Sequence, residues 1–247
     1  MRSLVAALQF LTRIPLPFAG TPGADALRAS IAWFPAVGAL LGVVLVAVDQ
    51  VAGTLLARPA ADATVLAVWI ALSGALHLDG LVDSVDGLVA GPSTAARLAA
   101  MRESTAGTAG ATAAVLTLLV AFVALGALHG PARTTALLLA PLCGRCAIVV
   151  AYRVFPYGRA EPTLSLLLKE GTAGIGVPIS LAVALGWALL ACGPTGVAIF
   201  ALAPVIALTV GRIALRRLPG VTGDICGAIC EITQLVVLLI VPFAVRP

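Results

Sequence analysis

The feature that most limits the fold of this chain is a series of apolar stretches, each about as long as a bilayer is thick, separated by short polar breaks. Hydrocarbon offers no water to backbone N–H and C=O groups, so a spanning segment must be a helix or part of a closed barrel. A helix needs about 17–25 residues to cross. Seven stretches meet that length, near 31–57, 61–78, 107–129, 134–151, 174–193, 195–211 and 225–245. They are rich in Leu, Val, Ala and Gly and lack the alternating segments of about ten residues that barrel strands require. The expected fold is all-α: a polytopic integral membrane helical bundle of about seven transmembrane helices. One domain is expected over 1–247, with residues 1–30 as a cytoplasmic or interfacial N-terminal segment.

Composition narrows the class further. The 247 residues are 61% hydrophobic and 11% charged, against about 45–50% and about 25% in soluble domains. Disorder is excluded, because disordered chains are poor in apolar residues. Five cysteines are too few and odd in number for a disulfide scaffold. The net charge of +4 does not argue for nucleic acid, and no nucleic-acid partner is expected. The bilayer is the expected surrounding; the sequence leaves homo-oligomerisation open.

The apolar run Leu4–Leu11 ends at Arg13, Pro15 and Pro17. It is short for a signal peptide and lacks a good small-residue cleavage site. A helix lying near the interface is the preferred reading. With seven spans, one side receives Arg2, Arg13, Arg28, Arg97, Arg102, Arg153, Arg159, Lys169, Arg212, Arg216 and Arg217. The other receives Arg58, Arg133 and Arg246. Eleven against three places the N-terminus in the cytoplasm by the positive-inside rule.

Seven of the eleven acidic residues then gather at the cytoplasmic face: Asp79, Asp83, Asp86, Glu103, Glu161, Asp224 and Glu231. Asp25, Asp49, Asp62 and Glu170 read as interface or loop groups. Carboxylates at a membrane are costly and need partners, cations or water. The segment His77–Gly87 holds Asp79, Asp83 and Asp86 at i, i+4 and i+7, which is one helix face. A divalent cation turns their repulsion into binding, and hard oxygen ligands suit Mg²⁺ or Mn²⁺. A solvated helix cap is the plain alternative, and His77 taken singly reads more readily as a structural polar residue than as a site group.

A second segment, Met101–Gly110, carries Arg102, Glu103, Ser104 and Gly107 into the third span. Free N–H groups at a helix start suit an anion, Arg102 suits a phosphate, and Glu103 can join the metal set. Ordinary helix capping and small-residue packing compete with that reading. A third segment, Gly220–Glu231, places Asp224 and Glu231 seven apart on one face. Asp224 also suits an N-cap, whereas Glu231, two turns into an apolar helix, is expected to face the bundle interior. Arg145, inside the fourth span, is expected to meet an acid or an anionic substrate, unless it snorkels. Cys143-x2-Cys146 and Cys226-x3-Cys230 sit in apolar helices and read as packing residues rather than zinc ligands.

Together these pieces resemble cobalamin synthase, the adenosylcobinamide-GDP ribazoletransferase family. The resemblance rests on Phe10-Leu11-Thr12-Arg13-Ile14-Pro15, the His77–Gly87 and Met101–Gly110 segments, and Thr222-Gly223-Asp224 through Gly227-Ala228 and Glu231. Glu103 stands where that family usually has Asp, and Thr105 where a basic residue is common. The resemblance implies a polytopic membrane enzyme of the bacterial inner membrane that uses Mg²⁺. It would join adenosylcobinamide-GDP to α-ribazole or its 5′-phosphate and release GMP. The metal set would be Asp79, Asp83, Asp86, Glu103, Asp224 and Glu231. Asp83 or Asp86 would take the hydroxyl proton, with Arg102, Arg145, Ser104, Gly107 and His77 toward substrate, all facing the cytoplasm.

Two other readings remain. Asp83-x2-Asp86-Gly87-x2-Ala90 imitates the first half of the CDP-alcohol phosphotransferase motif, whose second half is missing here. An ion-coupled transporter would also place acids and arginine in a bundle, but no internal repeat is evident.

Overall fold

The structure, a computed structural model, describes residues 1–16 and 20–245. Pro17 and Arg246 therefore lie outside the described residues. The bundle is all-helical: α1 (Arg2–Leu11), α2 (Ala24–Ser30), α3 (Phe34–Leu55), α4 (Arg58–Ser73), α5 (Leu76–Val89), α6 (Thr94–Ala100), α7 (Thr108–Ala127), α8 (Gly130–Val154), α9 (Leu164–Gly171), α10 (Gly176–Phe200), α11 (Leu202–Leu215) and α12 (Gly223–Ala244).

Five helical runs are long and apolar enough to cross a membrane: 24–55, 108–127, 130–154, 176–215 and 223–244. The pair α4–α5, bent by 84°, counts as a sixth if it is taken as one broken span rather than a re-entrant loop. The 40-residue run 176–215 is too long for one crossing. Gly193 leaves helical geometry (φ 62, ψ −155), and a Cβ on Gly196 would overlap the carbonyl oxygen of Ala188. The chain therefore turns back on itself at Cys192-Gly193-Pro194, where the sequence places a tight turn. The N-terminal helix α1 is only ten residues long and buries Ala6, Ala7 and Leu11 against the bundle.

Helix α8 is the central mast. It packs against α3, α10, α11 and α12, and most of its residues are buried. With no hydrophobic drive between helices in lipid, close backbone packing has to supply the adhesion. Gly38 and Gly42 supply it on α3. A Cβ at either would stand 2.6 Å from a backbone carbonyl of α8, Pro141 and Leu138 respectively.

The α4–α5 bend is built by two left-handed residues, Gly74 (φ 61) and Ala75 (φ 56). Their N–H groups bond back to the carbonyls of Ala71 and Ile70, which satisfies the end of α4. The Arg13 backbone N–H takes the Leu72 carbonyl at 2.7 Å. The segment after α1 thus holds the bend that aims α5.

One polar cluster corrects the sequence reading. Asp49 and Asp62 are not loop groups. Asp62 is 2% exposed, and Arg133 is 5% exposed. The Arg133 guanidinium reaches Asp49 at 2.7 Å and Asp62 at 2.6 Å, and donates to the Leu125 carbonyl. Arg58 adds contacts to both acids. Two cations and two anions so tie α3, α4, α7 and α8 together at one end of the bundle.

Gly42→Leu is expected to wedge α3 from α8. Overpacking of this kind costs about 1–3 kcal/mol, so the thermal unfolding midpoint in detergent should fall. An unchanged midpoint would contradict the close α3–α8 contact.

Candidate active site

The other end of the bundle gathers the remaining acids. Helix α5 lies antiparallel along the first turns of α7 and α12. Its approach to α12 is backbone against backbone: a Cβ on Gly80 would lie 2.9 Å from the Asp224 carbonyl oxygen and 3.1 Å from Gly227 Cα. An open cleft of about 570 Å³ forms there. Asp79, Asp224, His77, Tyr152 and Ser165 line it, with Phe10 and Phe34 as apolar wall.

Asp83 has Asp79, Asp224 and Asp86 as electrostatic neighbours, and Arg159 as the nearest compensating cation. Neither the Asp79 nor the Asp83 carboxylate makes a hydrogen bond or ion pair among the described residues. Asp79 is exposed, and Asp83 half-buried. The structure therefore leaves two carboxylates, one helical turn apart, without protein partners.

Asp86 stands differently. Its carboxylate accepts from the N–H of Gly107 at 2.7 Å and of Gly110 at 2.8 Å. It is the side-chain cap of α7, supplied from a neighbouring helix. This corrects two expectations at once. The N–H groups of Gly107 and Gly110 are taken by a protein carboxylate rather than free for phosphate. Asp86 is a tie between helices, which disfavours it as the proton acceptor.

Asp224 pairs with Arg159 at 2.8 Å and accepts from the Thr222 hydroxyl at 3.2 Å. The N-cap of α12 is Thr222, whose hydroxyl accepts from Ile225 N–H, so Asp224 is not the cap. Glu231 is set apart from the cleft. It lines a separate pocket beside the α4–α5 bend with Ser73, Trp69 and Gln234. Glu103 and Ser104 are exposed on the loop before α7. Arg102 turns to Glu161, not to the acids of α5, and the guanidinium holds the Glu161 carboxyl below its usual range.

Arg145 is fully buried and donates to Gln234 Oε1 at 2.6 Å. Among the described residues its Nε and Nη2 have no hydrogen-bond partner, and neither has Nε2 of the buried His77. Its bonded partner is an amide one turn beyond Glu231, where an acid was expected. His77 packs its backbone on Gly227 and is buried. Neither Arg145 nor Glu231 lines the cleft that Asp79 and Asp224 share.

The six acids of the expected metal set are thus divided. Among the described residues, no three His, Cys, Asp or Glu side chains converge to enclose a metal ion. Asp79 and Asp83 still present the hard oxygen donors that Mg²⁺ takes. Mg²⁺ is commonly held by one or two carboxylates plus substrate phosphates rather than by an all-protein cage. The donor chemistry fits that mode.

The site uses residues the sequence reading left at the margin. Arg159 is one, held between Asp224 and the Leu98 carbonyl. The loop that carries it is fixed by a backbone pairing of Tyr157 with Val221. Tyr152 and Ser165 are others. In the sequence Arg159 falls in the basic loop Tyr152–Lys169 with Arg153 and Glu161, which reads as holding phosphates or merely fixing topology and does not indicate Asp224 as its partner.

Comparison with known proteins places the chain. The family model of cobalamin-5-phosphate synthase matches residues 3–242. An adenosylcobinamide-GDP ribazoletransferase of Pseudomonas paraeruginosa is 38% identical over 242 residues, covering 97% of each chain. Proteins of the same description from Pseudomonas fluorescens and Stutzerimonas stutzeri are each 37% identical. They cover 97% of this chain and 98% and 97% of their own. No solved structure matches.

The geometry separates two aspartates three residues apart. Asp86→Ala should unfold earlier in detergent, because losing such a cap costs about 1 kcal/mol. Asp83→Asn should unfold no earlier than the parent protein, since it removes a repulsion. Equal destabilisation by both would overturn the assignment.

Proposed function

The chain belongs to the cobalamin-5-phosphate synthase family, and from that premise we propose that it joins adenosylcobinamide-GDP to α-ribazole or α-ribazole 5′-phosphate. Family membership makes it a membrane transferase of cobalamin biosynthesis and sets aside the transporter and CDP-alcohol readings. The observation that carries the finer reading is the unpartnered pair Asp79 and Asp83 facing the Arg159–Asp224 ion pair. Unpaired carboxylates beside the Arg159 guanidinium suit a metal-assisted diphosphate reaction.

In the proposed step a ribose hydroxyl oxygen attacks the phosphorus on the corrinoid side of the diphosphate. The new P–O bond forms as the bond to the bridging oxygen breaks, and GMP leaves with that oxygen. Asp83 takes the hydroxyl proton. Arg159 holds diphosphate oxygens and offsets their charge. Asp79 and Asp83 would hold Mg²⁺, with Asp224 adjacent, and the ion when bound neutralises charge on the diphosphate. Asp86 fixes α5 against α7 and so sets the direction of Asp83.

The reading also places the protein in the bacterial cytoplasmic membrane with this cleft toward the cytoplasm, as the arginine distribution argues. A cysteine placed at Ser93, in a background without the native cysteines, should resist an impermeant thiol reagent in intact cells. Labelling from outside would reverse the orientation.

Purified protein given adenosylcobinamide-GDP, α-ribazole and Mg²⁺ should yield cobalamin and GMP, followed by chromatography. EDTA should abolish turnover, and Mg²⁺ or Mn²⁺ should restore it. Asp83→Asn should lose roughly 10²–10⁴-fold in rate, with Asp25→Asn near the parent. Turnover that survives chelation, or an Asp83→Asn rate above about half, would remove these roles.

A further inference from the structure

A second cleft, about 1020 Å³, opens beside the first between α6 and the loop 157–161. Leu98, Ala99 and Pro219 form apolar wall, Tyr157 adds an aromatic ring, and Arg102, Arg159 and Glu161 supply charge. Arg159 joins the two clefts. Its side chain is 7% exposed, and one end of its guanidinium holds Asp224 of the acidic cleft. Its Nη1 has only a long contact, 3.4 Å to the Leu98 carbonyl, and keeps capacity for a phosphate. A substrate whose diphosphate lies against Arg159 would extend its nucleoside into this second cleft.

We propose that the cleft is a guanine-reading subsite in which Arg102 and Glu161 read the base and Tyr157 supports its face. This rests on the transferase reading above, which supplies the nucleotide. Guanine presents an acceptor, O6, next to donors at N1 and N2. Adenine at the same edge presents a donor, N6, next to an acceptor, N1. Arg102 and Glu161, side by side, offer a donor next to an acceptor. Guanidinium to O6 is a favoured contact for guanine, and the carboxylate accepts from N1–H and the 2-amino group. Adenine would set its amino group against Arg102 and its N1 lone pair against Glu161, leaving charges unpaired.

The surroundings support that use. The Arg102–Glu161 pair is half-exposed on both sides, so it contributes little to stability and is open to a base. Tyr157 is held at both ends: its backbone pairs with Val221 and its hydroxyl shares a hydrogen bond with Thr163. A fixed aromatic face is the ordinary partner for an unpaired nucleobase. Arg159 and Glu161 are two residues apart, at most about 7 Å of chain, which one nucleotide can bridge.

The test is direct binding of GMP, IMP and AMP to the full-length protein in detergent, by calorimetry, with turnover measured alongside. The parent protein should bind GMP at least tenfold tighter than AMP, with IMP, which lacks the 2-amino group, between. Glu161→Ala and Arg102→Ala should each weaken GMP by about 10–100-fold and leave AMP unchanged. Their loss in turnover should fall on KM rather than kcat. Glu170→Ala, which removes an exposed carboxylate from an ion pair elsewhere, should leave the GMP-to-AMP ratio intact. Equal binding of GMP and AMP by the parent, or a ratio unmoved in both variants, overturns the subsite. Turnover with no base selectivity would remove the subsite and keep the transferase. Selectivity that depends on Glu161 without turnover would do the reverse.

Discussion

The cleft depends on one contact, the backbone of α5 laid on that of α12 at Gly80 and Gly227. Side chains at those positions would force the helices apart, and with them Asp79 and Asp83 on one helix from Asp224 on the other. The contact is unusual in what it accepts. It draws like-charged residues together, which helix packing alone would resist. The penalty is limited because Arg159 enters from the loop and neutralises Asp224. It is limited further because the acids lie at the polar end of the bundle, where Asp79 is exposed. The geometry is held from the far side by Asp86, whose carboxylate anchors α5 to the start of α7.

The two ends of the bundle show opposite solutions to the same electrostatic problem. Around Arg133, two acids and two arginines close on each other, with Arg133 and Asp62 buried and Arg58 reaching in from the exposed rim. Removing one partner from such a group leaves a charge stranded, so the cluster resists change. Around Asp83 the acids outnumber their arginine, and two have no protein partner. A closed network has nothing left to offer a ligand. An open one retains attraction for a cation and, through it, for phosphates. The distinction is what favours the open end for the proposed chemistry and leaves the closed end a structural tie.

Much of this was legible in the sequence, for identifiable reasons. Apolar length gave the helices, and the Gly193-Pro194 pair gave the fold-back between two of them. Spacing along α5 put its three aspartates on one face. Spacing does not say what stands opposite. Asp83 and Asp86 look equivalent in sequence, yet one faces the acids and the other caps a helix whose start lies 21 residues on. Asp49 and Asp62 resembled loop acids because their partner, Arg133, is 84 and 71 residues away. Arg145 was recognised as buried, but its amide partner on α12 is 89 residues distant and carries no charge to signal it. What the sequence concealed was long-range pairing.

The cation composition follows from the same burial. The chain holds fourteen arginines and one lysine. Three of the arginines, Arg133, Arg145 and Arg159, are buried or nearly so. Desolvation penalises any charged form, and an ammonium can escape by giving up its proton. Lys169 shows the tendency: partial burial, with Arg153 nearby, holds its pKa below the usual lysine value. A guanidinium does not deprotonate under such conditions and offers several donors in a fixed plane. Arg133 uses that plane to hold two carboxylates and a carbonyl at once. Arg159 uses it to hold Asp224 while keeping a donor toward the neighbouring cleft. A lysine at 159 would present one point charge to both, and the Asp224 contact would compete with the proposed phosphate for it. A bundle that buries its cations at helix junctions, and asks one of them to serve two clefts, therefore needs arginine.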